Sequence, residues 1–160
     1  MGIWSQKRTL AAGAQAPDFE LPELGGARRS LSEILSRGPA VVAFFKVSCP
    51  VCQYTFPFLE RLRQGAVQIV GISQDQAAAT AEFCREYGIT FPTLLDDTSS
   101  YPVSNAFAIA SVPALFLIEK DGAVSMSESG FSKRFLEAAG ERAGVAPFRP
   151  GESVPESRPG

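Results

Sequence analysis

The chain has 160 residues, 45% of them apolar and 20% charged, enough for one domain with a substantial core and too short to make two ordinary domains comfortable. Its 15 basic and 17 acidic residues leave a formal charge of −2 without long runs of one sign, so nucleic acid and anionic membrane surfaces are set aside as partners. Histidine is absent, which removes Ser-His-Asp and Cys-His catalysis and every His-ligated metal site.

Residues 1–12 show no periodicity and are expected to form a flexible N-terminal arm, with Trp4 a candidate for packing on the domain surface. The start lacks the apolar stretch of a secretion signal, and no apolar run approaches the ~20 residues of a membrane helix. Gln6 stands where a myristoylation motif wants Ser or Thr. The sequence as given therefore reads as cytoplasmic; a signal or anchor upstream of it would make the protein extracytoplasmic.

An extended segment is expected around Phe19 and Leu21, then a turn at Gly25-Gly26. Ser30, with Glu33 three residues on, predicts a capped short helix carrying Leu31, Ile34 and Leu35 and ending at Gly38. Residues 40–45, AVVAFF, have no period and suit a strand covered on both faces. From Pro50 the apolar residues recur at helical spacing until Gly65, with Pro57 inside the helix as an expected kink.

Residues 67–73 predict a second buried strand, and Asp75 a cap for a helix over 77–87 that Gly88 closes. A short strand at 93–96, a helix at 99–108 and a strand at 114–118 follow. Asp121-Gly122 then turns the chain into a strand at 123–127, and a last helix covers 132–143. The domain is thus expected over 13–144. Residues 145–160, with four prolines and few large apolar groups, are expected to be a disordered tail whose removal costs little stability. Alternating strands and helices plus one hairpin call for an α/β fold with a central mixed β-sheet flanked by helices.

The chemistry converges on Cys49-Pro50-Val51-Cys52 at the junction of the first buried strand and the following helix. Two thiols at this spacing can close a small disulfide. The first meets unpaired helix N–H groups and the macrodipole, which favour a thiolate. Cys49 is therefore the expected nucleophile and Cys52, one turn further in, the resolving thiol; Pro50 suits the first helical position, where its missing N–H is not needed. A zinc site would need Cys84 and a carboxylate to complete four ligands, so no metal is expected, and no cofactor. Cys84 is read as core, and Lys46 as a solvent-facing lysine close enough in sequence to tune a thiolate.

Over residues 13–143 the sequence resembles the redoxin branch of the thioredoxin superfamily, the TlpA-like and ResA-like thiol–disulfide oxidoreductases that border the alkyl hydroperoxide reductase and thiol-specific antioxidant peroxiredoxins. The resemblance is carried by GAQAPDFEL at 13–21, VAFFKVSCPVC at 42–52, PFL at 57–59, VGIS at 70–73, YGITFP at 87–92, VPALFLI at 112–118 and Asp121-Gly122. It implies a thioredoxin-like fold in which Val112-Pro113 is a cis-proline dipeptide facing the thiols. Substrate contacts would come from Pro50, Val51, Val112 and Pro113, where an extended peptide can pair with exposed backbone. The implied partners are protein or small-molecule thiols and disulfides, together with a reductant such as a thioredoxin or dithiol reductase system.

The chain departs from its relatives in three places. Ser48 replaces the usual Trp before the first cysteine, Thr55 the acid three residues after the second, and Ala43 the buried acid of thioredoxins. Two other readings stay open: a peroxiredoxin-like peroxidase with Cys52 peroxidatic, and a redox-inert module binding extended peptides at Pro113. Against the first, the peroxidase pattern wants Thr where Cys49 stands and Pro where Phe45 stands.

Overall fold

The computed structural model describes residues 9–160. The chain runs through β1 (Glu20–Pro22), β2 (Arg28–Ser30), α1 (Leu31–Leu35), β3 (Ala40–Phe45), α2 (Pro50–Leu62), β4 (Gln68–Ser73) and α3 (Ala77–Tyr87). It continues through β5 (Thr93–Leu95), α4 (Pro102–Ala106), β6 (Ala114–Ile118), β7 (Val124–Ser129), β8 (Phe131–Ser132), α5 (Lys133–Ala143) and β9 (Ser157–Arg158). Five strands form a mixed sheet in the order β5-β4-β3-β6-β7, with β3, β4 and β5 parallel and β6 and β7 antiparallel to their inner neighbours.

The apolar run of β3 follows from its central place. Val41, Ala43 and Phe45 face one core with α2, α3 and α5, where Phe45 meets Phe56 and Phe83 at centroid distances of 4.4 and 4.8 Å. Ala40, Val42 and Phe44 face the other, closed by α1 and α4, where Phe44 meets Phe107 at 5.1 Å. All six side chains of β3 are buried. Ala43, standing where thioredoxins bury an acid, is one of them, so that position supplies packing and no proton.

Local signals account for most element boundaries. The Ser30 hydroxyl accepts the Glu33 N–H, Ser132 caps α5 through the Phe135 N–H, and α3 and α5 end at Gly88 and Gly144. Some boundaries differ from expectation. The helix expected at 99–108 is confined to Pro102–Ala106, because the buried Asp96 carboxylate already accepts the Val103 and Ser104 N–H groups and fixes its start. Asp75 does not cap α3: Gln76 holds that position, and Asp75 reaches instead to the Val47 N–H at 2.8 Å. The expected arm at 1–12 lies through residue 8 outside the described residues; Leu10 hydrogen-bonds to Phe107 and packs on the second core.

Residues 145–160 are not a disordered tail. They run back across α5 and α2 as a strap. Gly140 makes room for it, since a Cβ there would stand 2.6 Å from the Val145 carbonyl oxygen and 2.7 Å from Pro147 Cδ. Phe148 lies against Phe58 at 5.2 Å and Val154 packs on the first core. Arg61 donates to the Pro147 carbonyl at 2.8 Å and holds the Glu152 carboxylate through two hydrogen bonds of 2.7 and 3.0 Å. Composition misleads here because the prolines that suggest disorder also lower the entropy lost on ordering, so two apolar anchors and one bidentate ion pair suffice.

Truncating the apolar anchor, Phe148→Ala, is expected to cost about 1–2 kcal/mol and to lower Tm by roughly 2–8 °C in a thermal melt. The ion pair gives a pH signature. Arg61, and then the Arg149 N–H, hold the Glu152 carboxyl down at about 2. Its contribution is therefore complete above the unfolded-chain value of 4.5 and is lost as the pH falls through about 2. The Tm difference between wild type and Glu152→Gln should be constant near neutrality and shrink toward zero across that window.

Candidate active site

The carboxyl end of β3 hands the chain to α2 through Lys46, Val47 and Ser48, at the point where the strand order reverses between β4 and β6. This short connection is held tightly. Cys49 donates its N–H to the Lys46 carbonyl at 3.2 Å, the Val47 N–H goes to Asp75, and Gln53 Nε2 donates to the Val47 carbonyl at 2.9 Å. Cys49 is then the N-cap of α2, with Pro50 at the first helical position.

Its sulfur does the capping. The Cys52 N–H donates to Cys49 Sγ at 3.1 Å, so one unpaired donor of the first turn is spent on sulfur. On its other side the Cys49 thiol faces the Val112 carbonyl at 3.6 Å, and the Val112-Pro113 peptide bond is cis. Cys49, Pro50, Val112 and Lys46 line one cleft of about 450 Å³ together with Gln74, Ile109 and Gly160. Pro113 is buried directly behind Val112, and Val51 is half-buried on the first core.

The two cysteines differ sharply in environment. Cys49 is partly exposed, whereas Cys52 is wholly buried among the side chains of the first core. Burial pushes the Cys52 thiol far up, its hydrogen bond with Cys49 and the Asp75 charge push the same way, and only a hydrogen bond with the Lys46 backbone opposes them. Cys52 is thus a neutral thiol at neutral pH, while Cys49 faces the cleft. Cys84 lies elsewhere, half-buried on α3 with Thr93 Oγ1 at 3.9 Å, and burial raises its thiol too.

Sequence reasoning missed Gln74 and Asp75 as parts of this site. Both follow β4, whose end lies beside that of β3, and the strand register that brings them there is not readable from either segment alone. Among the described residues no group of three His, Cys, Asp or Glu side chains could hold a metal ion, and no helix is long and apolar enough to cross a membrane.

Solved structures share the fold. The thioredoxin domain of a thiol-disulfide oxidoreductase from Bacteroides vulgatus superposes with a TM-score of 0.75 at 19% identity, over 84% of this chain and 99% of that one. Peroxidoxin BcpB from Mycobacterium tuberculosis superposes with a TM-score of 0.69 at 26% identity, over 90% and 99%. The fold is therefore thioredoxin-like, and the family and relatives that the chain matches make the protein a redoxin-type oxidoreductase. The model of the AhpC/TSA family matches residues 12–127, and the chain belongs to that family. Among curated relatives, the thiol-disulfide oxidoreductase ResA of Geobacillus kaustophilus is 29% identical over 133 residues, covering 80% of this chain and 75% of its own.

The unequal burial yields a direct expectation. Brief treatment of the reduced, folded protein with iodoacetamide should place the first alkyl group on Cys49, with Cys52 modified only after unfolding. Peptide mass mapping reads the order, and early labelling of Cys52 would contradict the burial described.

Proposed function

We propose that the protein is a thiol–disulfide oxidoreductase that exchanges electrons through the Cys49–Cys52 pair by way of a mixed disulfide. The observation that carries this reading is the division between a partly exposed Cys49, capping α2 with a backbone donor on its sulfur, and a Cys52 buried one turn below.

In the reducing direction the Cys49 thiolate attacks one sulfur of a substrate disulfide. The substrate S–S bond breaks, its other sulfur departs as a thiolate and takes up a proton, and a Cys49–substrate disulfide remains. Cys52 then attacks Cys49 Sγ, its proton passing to the departing substrate sulfur. The second substrate thiol leaves and the Cys49–Cys52 disulfide forms, so two electrons have passed to the substrate. A dithiol reductant such as a thioredoxin system restores the pair by the reverse sequence, and substrate oxidation uses the same steps backwards.

Substrate would lie between Pro50 and Val112, which line the cleft with Val51 and Pro113 next to them in the chain, and Lys46 stands at the cleft's edge as a cation beside developing sulfur charge. The peroxidase alternative asks a peroxide to reach Cys52 and find it ionised, and its complete burial argues against both. A neighbour that shares the fold, BcpB of Mycobacterium tuberculosis, is named a peroxidoxin.

Cys52→Ser should trap a stable mixed disulfide on Cys49 when the protein meets a disulfide substrate, whereas Cys49→Ser should trap little. Intact mass before and after dithiothreitol measures both. Rapid formation of sulfenic acid at Cys52 in Cys49→Ser on adding stoichiometric peroxide, far faster than at a free thiol, would instead establish the peroxidase.

A further inference from the structure

The strap does not stop at α2. Beyond the Arg61–Glu152 ion pair it turns along the edge of β8, where Lys133 donates its N–H to the Glu156 carbonyl at 3.0 Å and β9 pairs antiparallel with β8, Arg158 opposite Phe131 and Ser157 opposite Ser132. The Arg158 guanidinium stacks over the Tyr54 ring at 4.9 Å. Two residues on, Gly160 reaches the backbone of the Val112-Pro113 dipeptide. A Cβ at Gly160 would stand 2.7 Å from the Val112 carbonyl carbon and 3.3 Å from Pro113 Cδ, so only glycine fits in this position. The same Val112 carbonyl faces the Cys49 thiol, and Gly160 and Cys49 line one cleft.

We propose that residues 153–160 act as an internal occupant of the substrate groove: an extended segment of the chain itself lies where an extended disulfide substrate would lie, and a polypeptide must displace it to reach Cys49. This rests on the thiol–disulfide exchange reading and adds its regulation. The docked segment also describes its competitor. A fitting substrate is extended, pairs its backbone with the β8 edge, offers a cation to Tyr54 and carries a small residue over Val112.

The contacts suit a reversible occupant. Ser157, Arg158, Pro159 and Gly160 are all exposed, held by backbone pairing and one cation–π contact, and the firm anchors lie upstream at Phe148 and Glu152. A segment with few apolar contacts and exposed hydrogen bonds opens locally at low cost. Whatever fraction of time it is docked, apparent affinity for a competing peptide falls in proportion to the open fraction; a segment docked about 90% of the time lowers it about 10-fold.

The test uses the 160-residue chain and two substitutions away from the cleft, Glu152→Ala and Arg158→Ala. The first cuts the upstream anchor, and the second removes the cation that lies over the Tyr54 ring. Each protein, reduced, reacts with glutathione disulfide as a small probe and with a short extended peptide carrying a glutathione mixed disulfide at its centre. Circular dichroism and Tm check that each variant is folded. The proposal expects kcat/KM for the peptide to rise about 10-fold in both variants, with glutathione disulfide changing by less than about 2-fold because it needs only the sulfur. A synthetic peptide of residues 153–160, added in trans, should bring the variants back toward the wild-type rate. Folded variants that reduce the peptide at the wild-type rate overturn the gating and leave the exchange reading intact. No exchange with either disulfide in any of the three proteins overturns the exchange reading, and the gating with it.

Discussion

The structure depends on a single strand being covered from both sides. β3 has no polar side chain to spare for solvent, so the chain must build a core above it and another below, and the helices distribute accordingly. That demand fixes where the strand ends. Its carboxyl end emerges between β4 and β6, and the backbone there finds its partners in the Asp75 carboxylate and the Gln53 side chain. The thiols inherit their position from this: Cys49 begins α2 partly exposed at the end of the short connection, and Cys52, one turn further on, is already in the core.

The difference between the two thiols then follows from a gradient of burial across one helical turn. A sulfur that caps a helix is offered a hydrogen bond by the backbone, whereas a sulfur held in an apolar core is penalised for carrying charge. Nothing in the site needs a conserved acid at the Ala43 position to create that difference, because core packing alone creates most of it. Substitution of Ser48 and Thr55 for the residues common in relatives leaves the gradient in place; Thr55 turns its hydroxyl back to the Val51 carbonyl at 2.7 Å and stays within the helix.

Much of this was legible in the sequence. The unbroken AVVAFF run, the helical spacing after Pro50, the caps at Ser30 and Ser132 and the stops at Gly88 and Gly144 are local signals, and local physics decided them. Apart from the start of α4, set by nearby Asp96, the failures are of long range. Asp75 has the chemistry of a cap, and only the register between β3 and β4 shows that the Val47 N–H takes it instead. β2, β8 and β9 are two or three residues long and exist because a partner lies alongside. Residues 147–160 look unstructured by composition, but a row of aromatic side chains on α2 and β8, invisible as a row in the linear sequence, gives them a surface to lie on.

The division of the interior by the sheet has a consequence for how the protein can change over time. Side chains on opposite faces of β3 meet different helices and share only backbone, so perturbations on the two sides combine independently, as they do for residues without common partners. The α1 and α4 side can therefore drift in volume and sequence, or acquire insertions beside α4, while the side holding Cys52, Phe56 and Phe83 keeps the packing on which the buried sulfur relies. One face of the molecule is free to diversify while the other conserves its chemistry.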